Sequence, residues 1–295
     1  MRLSHVEELT ASLPQSGQGA NMDEDITPAL TERQRNELDY HRHHARQHEH
    51  MVRRPFSFDV LDRPGRRWWN AYWQMYAYLT TLDLRGRRVL VVGCGFGEDA
   101  LRLARLGAHV HAFDLSPDSL SIARRLAERE NLAVQFAQMP AEALTYPDDF
   151  FDCVLARDIL HHVDIPAALA EIRRVARPGA LFVVNEIYSH SVTDVIRRSR
   201  LVEGFLYPRM CRLIYGPGQP YITADERKMT QHDIALVCTI LPRLELSRHF
   251  NFLVTRILPE SSTLLARIDR LLLLALRPVA DLCAGRRLFA GRIVK

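Results

Sequence analysis

The residues with the clearest chemical use are three glycines and an acid. Gly93, Gly95 and Gly97 alternate with Cys94 and Phe96, directly after the apolar run Arg88-Val-Leu-Val-Val92 and directly before a helical pattern that opens with Glu98 and Asp99. Glycine at a strand-to-helix junction permits a tight turn and lets a ligand come close to the backbone. Asp114 closes the next apolar run, where a carboxylate can accept hydrogen bonds from both hydroxyls of a ribose. Together the loop and the acid indicate a cofactor built on a nucleoside.

A second set of candidates lies further along. His161 and His162 follow the fourth apolar run, Asp158 lies just before them, and Glu186 ends the fifth. Histidine titrates near neutral pH and suits a general base. His162 and Glu186 are therefore the candidate catalytic groups, and His161 a substrate contact; a structural role stays open for each. The stretch Tyr40-His-Arg-His-His-Ala-Arg-Gln-His48 places His44 and His48 on one helix face. No carboxylate or cysteine completes a ligand set there and the arginines oppose a cation, so no metal site is expected.

These groups need a scaffold, and the periodicity supplies one. Strands are expected at 88–92, 109–113, 134–138, 152–156 and 180–187. Helices are expected at 98–106, 117–130 and 165–176, with Ser116 and Asp164 as N-caps and a turn at Arg177-Pro-Gly179. Strand-helix alternation of this kind folds as a parallel sheet covered on both faces, with ligands at the carboxyl ends of the strands. Residues 1–35 have the composition of a disordered tail. Residues 36–82 read as a helical cap, with Trp69, Trp73 and Tyr76 on one helix face, packed on the core or lining a pocket. Residues 83–295 make the main domain. Within it, residues 189–240 are expected to form a mainly helical lid, with a capping box at Thr223-Ala-Asp-Glu226. This lid, with Tyr207 in it and Tyr188 at its base, offers aromatic walls to a planar or apolar substrate; a solvated basic helix with core tyrosines is the open alternative. Residues 244–257 read as a strand and 259–284 as a helical excursion, whose apolar side would pack on the core or on a second copy of the chain, with membrane-surface binding the less favoured alternative. Residues 289–294 read as a last strand.

Composition narrows the functional classes. A formal net charge of +4 in 295 residues gives no footprint for nucleic acid. Five cysteines, widely spaced and without a C-x-x-C pair, suit a reducing compartment. No apolar run reaches the length of a membrane span, and the first residues lack a secretory pattern, so a cytoplasmic location is expected.

The choice of cofactor follows from charge. A pyrophosphate prefers a helix N-terminus without competing acids, whereas Glu98 and Asp99 open the helix after the loop. S-adenosyl-L-methionine carries a sulfonium and an ammonium and no phosphate, and tolerates them. Residues 88–187 resemble the class I methyltransferases of the ubiquinone and menaquinone biosynthesis type. The resemblance rests on Val89-Leu-Val-Val-Gly-Cys-Gly-Phe-Gly97, His111-Ala-Phe-Asp-Leu-Ser-Pro117, Pro147-Asp-Asp-Phe-Phe-Asp152, Leu160-His-His-Val163 and Arg174-Val-Ala-Arg-Pro-Gly-Ala180. It implies a Rossmann-like three-layer α/β sandwich with a seven-stranded sheet whose last strand is antiparallel. It also implies S-adenosyl-L-methionine held by Gly93, Cys94, Gly95, Gly97, Asp114, Leu115, Met139, Ala141 and Arg157. The N-terminal helix would cover the cofactor, with Tyr40 and His44 lining the pocket. One position departs from the family: Pro140 stands where an acid usually meets the adenine amino group, and Glu142 or backbone groups would substitute. A small-molecule methyltransferase is the leading expectation, with a possible homodimer. A macromolecule methyltransferase or a non-catalytic cofactor-binding protein is the alternative.

Overall fold

The apolar runs of the sequence become the inner strands of one sheet. In the computed structural model, which describes residues 30–188, 199–206, 209, 228–250, 263–280 and 284–295, these strands are β1 (Arg88–Val92), β2 (His109–Asp114), β3 (Val134–Gln138), β4 (Phe151–Arg157) and β5 (Ala176–Ile187). Two more follow, β6 (Leu244–Phe250) and β7 (Arg286–Arg292). The order across the seven-stranded sheet is β3-β2-β1-β4-β5-β7-β6. The pairs among β1 to β5 are parallel, and β7 runs antiparallel to both its neighbours. The sequence expectation of a final antiparallel strand holds. That strand begins at Arg286, three residues earlier than expected, and lies between β5 and β6.

Alternation along each strand divides the core into two layers. Leu90 and Val92 pack on one face with α6 (Ile165–Val175) and α7 (Gln231–Thr239). Val89 and Val91 pack on the other with α3 (Ala71–Leu79) and α4 (Glu98–Arg105). This is the three-layer, doubly wound arrangement. Trp73 and Tyr76 are buried in the second layer, so the aromatic helix is a core element. It is shorter than expected because Asn70 caps it, accepting from the Trp73 amide at 3.1 Å.

The predicted caps form. Ser116 accepts from the Ser119 amide ahead of α5 (Pro117–Arg129), and Asp164 accepts from Ala167 ahead of α6. The first helix, α1 (Glu32–His48), starts inside the stretch expected to be tail, under a capping box between Thr31 and Gln34. A second box joins Thr230 to Asp233 at the start of α7. The expected box at 223–226 and most of the lid lie outside the described residues. The turn at Arg177-Pro-Gly179 is a bulge inside β5: Phe151 pairs with Ala176, whereas Cys153 pairs with Leu181.

The excursion before β7 contains α8 (Thr263–Ala275). Of the arrangements expected, burial of its apolar side in the core does not form; Ala266 and Asp269 face inward instead. Among the described residues no helix is long and apolar enough to cross a membrane, and no group of side chains could hold a metal ion.

Candidate functional site

A cavity of about 440 Å³ opens at the carboxyl ends of β1, β2 and β4. Its floor is the glycine loop. Gly93, Gly95 and Gly97 all have positive φ, at 59°, 52° and 79°. The three serve different ends. A Cβ on Gly93 would meet the Ile159 side chain at 2.4 Å, and one on Gly97 would meet Ala123 at 2.9 Å. A Cβ on Gly95 would meet nothing within 4 Å. Gly95 is thus the glycine beside open space, while Gly97 is the N-cap of α4 and packs against α5. Gly97 does not border the cavity, contrary to expectation.

Asp114 is held by two backbone amides. Its Oδ2 accepts from the Gly95 amide at 2.8 Å and its Oδ1 from the Ser116 amide at 2.9 Å. The loop and the acid are therefore one hydrogen-bonded unit. Leu115, Met139, Pro140 and Ala141 continue the wall. Glu142 follows, but both its oxygens are engaged: Asp164 donates its amide at 2.9 Å and Gln34 its side-chain amide at 3.1 Å. Burial and the Asp114 carboxylate push the Cys94 thiol well above its ordinary value, so it lines the cavity as a neutral group.

At the other end Arg157 is already committed. Its Nε donates to Asp99 at 2.5 Å, and Tyr76 donates its hydroxyl to the second oxygen of Asp99 at 2.6 Å. Glu98 lies 3.7 Å from Arg102 and 4.0 Å from Arg157. The two acids at the start of α4 are thus paired with arginines, which weakens the charge argument drawn from them alone. Asp158, at φ 53°, is 2.8 Å from Arg286. Burial opposes its charge, but Arg286 and Arg157 prevail and hold its carboxyl below the ordinary range.

The histidine pair sits on a short 3₁₀ turn, Leu160–His162, with a carboxylate behind each ring. Glu186 is fully buried and does not border this cavity. Its Oε1 accepts from the amides of Ile159 and Leu160, both at 2.8 Å, and its Oε2 contacts His161 Nδ1 at 2.7 Å. Glu186 therefore builds the turn instead of reaching a substrate. His162 Nδ1 is 3.1 Å from Oε1 of Glu37, on α1. Arg33 adds a bond to the His161 carbonyl at 3.1 Å.

Helix α1 forms the remaining wall, through Gln34, Glu37 and His41. Spacings of three and four put these on one face. The expected contacts, Tyr40 and His44, lie on the adjacent face: His44 stacks on Phe96 at 5.3 Å, and Tyr40 stacks on His44 at 6.2 Å. Burial, with His48 and His41 nearby, brings the His44 ring down to about 4. Burial also lowers His41, against the opposing pull of Asp114 and Glu37. Tyr188 is fully buried in the core beside Met229 and does not face the cavity. Tyr207 lies outside the described residues.

The loop, the strand-end acid and the capped helix recur in known proteins. Residues 90–184 match the family model described as a methyltransferase domain. This stretch is similar to methyltransferase domains. A ubiquinone biosynthesis O-methyltransferase of Methylocella silvestris is 35% identical over 150 residues, covering 41% of this chain and 59% of that protein. A demethylmenaquinone methyltransferase of Thermus thermophilus is 36% identical over 132 residues, covering 44% of this chain and 60% of that protein. The chain thus spans about three fifths of the length of these relatives. A solved S-adenosylmethionine-dependent methyltransferase from Mesorhizobium loti superposes with a TM-score of 0.50 at 20% identity, covering 76% of this chain and 98% of that one, and shares its fold.

Within residues 90–184 the cavity gathers Gly93, Cys94, Gly95, Asp114, Leu115, Met139, Ala141, Arg157, His161 and His162 of the residues singled out by sequence. It leaves out Gly97 and Glu186. Sequence reasoning missed Gln34, Glu37 and His41, outside the domain. Their spacing was legible; what was missing was which helix face turns inward.

Proposed function

We propose that the protein transfers a methyl group from S-adenosyl-L-methionine to a small molecule. The observation that carries this reading is the charge of the cavity. Five carboxylates border it against two guanidiniums, Arg157 and Arg286; with Glu98 and Asp158 beside arginines, Glu37, Asp114 and Glu142 set the excess. An excess of acids favours a sulfonium and an ammonium and disfavours a pyrophosphate. Relatives named for ubiquinone biosynthesis and for demethylmenaquinone support a small-molecule acceptor.

The lining fits the cofactor part by part. Each Asp114 oxygen accepts one amide and keeps capacity for another donor, which suits a pair of ribose hydroxyls. Leu115, Met139, Pro140 and Ala141 offer an apolar slot for the adenine. Open space beside Gly95 admits the ligand chain against the backbone. Bound there, S-adenosyl-L-methionine would supply a methyl group activated by its sulfonium.

The chain's own work is then to align the acceptor and to take its proton where it has one. A carboxylate only accepts, so Glu37 holds the proton of His162 on Nδ1 and leaves Nε2 with a lone pair. His162 is the base in this reading and Glu37 its positioning residue. In this reading α1 caps the acceptor side of the cavity, and the protein works in the cytoplasm.

Calorimetric titration tests the reading. The protein should bind S-adenosyl-L-methionine and S-adenosylhomocysteine saturably, and Asp114→Ala should weaken both by ~10-fold or more, as loss of a charged hydrogen-bonding group does. Failure to bind either ligand overturns it.

A further inference from the structure

The helix α8 carries its apolar side outward. Leu264 is 66% exposed, Leu271 65% and Leu274 58%, with Ile268 and Leu272 also exposed. The residues facing the protein are Ala266 and Asp269, both buried. At 3.6 residues per turn, Leu264, Ile268, Leu271, Leu272, Leu274 and Ala275 fall on one half of the helix surface. A helix on a solvated surface has the opposite polarity, and contiguous apolar exposure of this kind marks a surface that binds something.

Among the described residues of α8 and the turn after it the exposed charges are of one sign, and on the neighbouring turn the exposed arginines outnumber the exposed Asp59 and Asp62. Arg267 stands exposed among the leucines and Arg277 just beyond them, while Asp269, the acid of residues 263–280, is turned inward. Arg270 lies over the Trp68 ring at 5.3 Å, and Trp68 meets Trp69 edge-on at 5.7 Å. The turn carrying these half-buried indoles also exposes Arg63, Arg66 and Arg67, of which Arg66 is 3.7 Å from Asp59. The whole is a leucine-rich face with a rim of guanidiniums and indoles.

We propose that this face docks on an anionic lipid bilayer, with α8 lying in the interfacial plane. Leucines would enter the boundary between headgroups and acyl chains, arginines would meet the lipid phosphates, and the indoles would sit at headgroup depth. A second copy of this chain fits the face less well. Two-fold contact through the middle of α8 would bring Arg267 of one copy towards Arg277 of the other, with Asp269 turned away from the face. The proposal is independent of the reaction assigned to the cavity.

The full chain should be sedimented with vesicles of phosphatidylcholine alone and of phosphatidylcholine mixed with phosphatidylglycerol. The expected result is co-sedimentation with the mixed vesicles, released by added salt. The double variant Leu264→Ser/Leu271→Ser should partition at least ~10-fold less at unchanged thermal stability, because both side chains are already solvated. Arg267→Glu should weaken binding to the anionic vesicles selectively. Absence of binding to either vesicle overturns the proposal. So does a dimer in sedimentation velocity that Leu271→Glu dissociates.

Discussion

Asp114 and Glu186 are both buried carboxylates near the carboxyl ends of parallel strands, and both are held by backbone amides. They nevertheless do different things. Asp114 ties the glycine loop to β2 and borders the cavity. Glu186 ties the 3₁₀ turn to β5 from behind the wall, and it is the next residue, Ile187, that borders the cavity. Successive residues of a strand point to opposite faces, so one step along β5 separates a lining position from a buried one. Residue type and strand end alone therefore identify a carboxylate that matters without saying whether it matters for binding or for folding.

Substitutions can break this contrast. The largest effect is expected for Glu186→Ala, which strands two amides and His161 in a dry interior. It should lower unfolding stability by about 3–5 kcal/mol in urea denaturation, the range for breaking a buried hydrogen-bonded pair. Stability retained within ~1 kcal/mol would mean that Glu186 is not a structural anchor. Asp114→Ala should show the reverse balance, with the binding loss set out above and a smaller stability cost, ~1–2 kcal/mol, because water in the cavity can replace the lost acceptor.

The glycines sharpen the same contrast. Gly97→Ala combines left-handed backbone with a Cβ against Ala123, and should cost ~2 kcal/mol with ligand affinity preserved. Gly95→Ala meets no protein atom and should cost ~1 kcal/mol, but it should weaken cofactor binding by filling the ligand's space. Equal effects of the two on binding would dissolve the distinction between them.

The smallest effect concerns His44. Its folded ring titrates at about 4 against an ordinary 6.5, so the unfolded chain takes up the proton first as pH falls. Stability should decline through the window from pH 6.5 down to about 4, by ~1 kcal/mol once solvent screening of a half-exposed ring is allowed for. His44→Gln should flatten that part of the stability profile.

The sheet was legible because its strands carry unambiguous periodicity and their ends carry glycine, proline and capping residues. Asp114 was legible for the same reason: it ends a strand where the chain must turn. The face presented by α1 was not. Both the Tyr40–His44 side and the Gln34–Glu37–His41 side have aromatic or polar character, and only the Glu142 and His162 contacts decide between them. Asp99 misled for a related reason. Its partner Arg157 is 58 residues away, so its charge seemed free in the sequence. The outward apolar face of α8 was hidden too, since a leucine pattern is the same whether it faces a core or leaves it.

The position of β7 bears on how the chain is made. Residues 286–292 run between β5 and β6, so β6 has no strand beside it until synthesis has passed residue 292. A chain emerging from the ribosome can zip β1 to β5 in order, but it must keep residues 244–250 waiting with both edges open. Completion of the sheet is then a late, long-range event that closes a loop across α8. Such non-local pairing is slow, and the waiting strand is the point at which a stalled chain would pair with a neighbour.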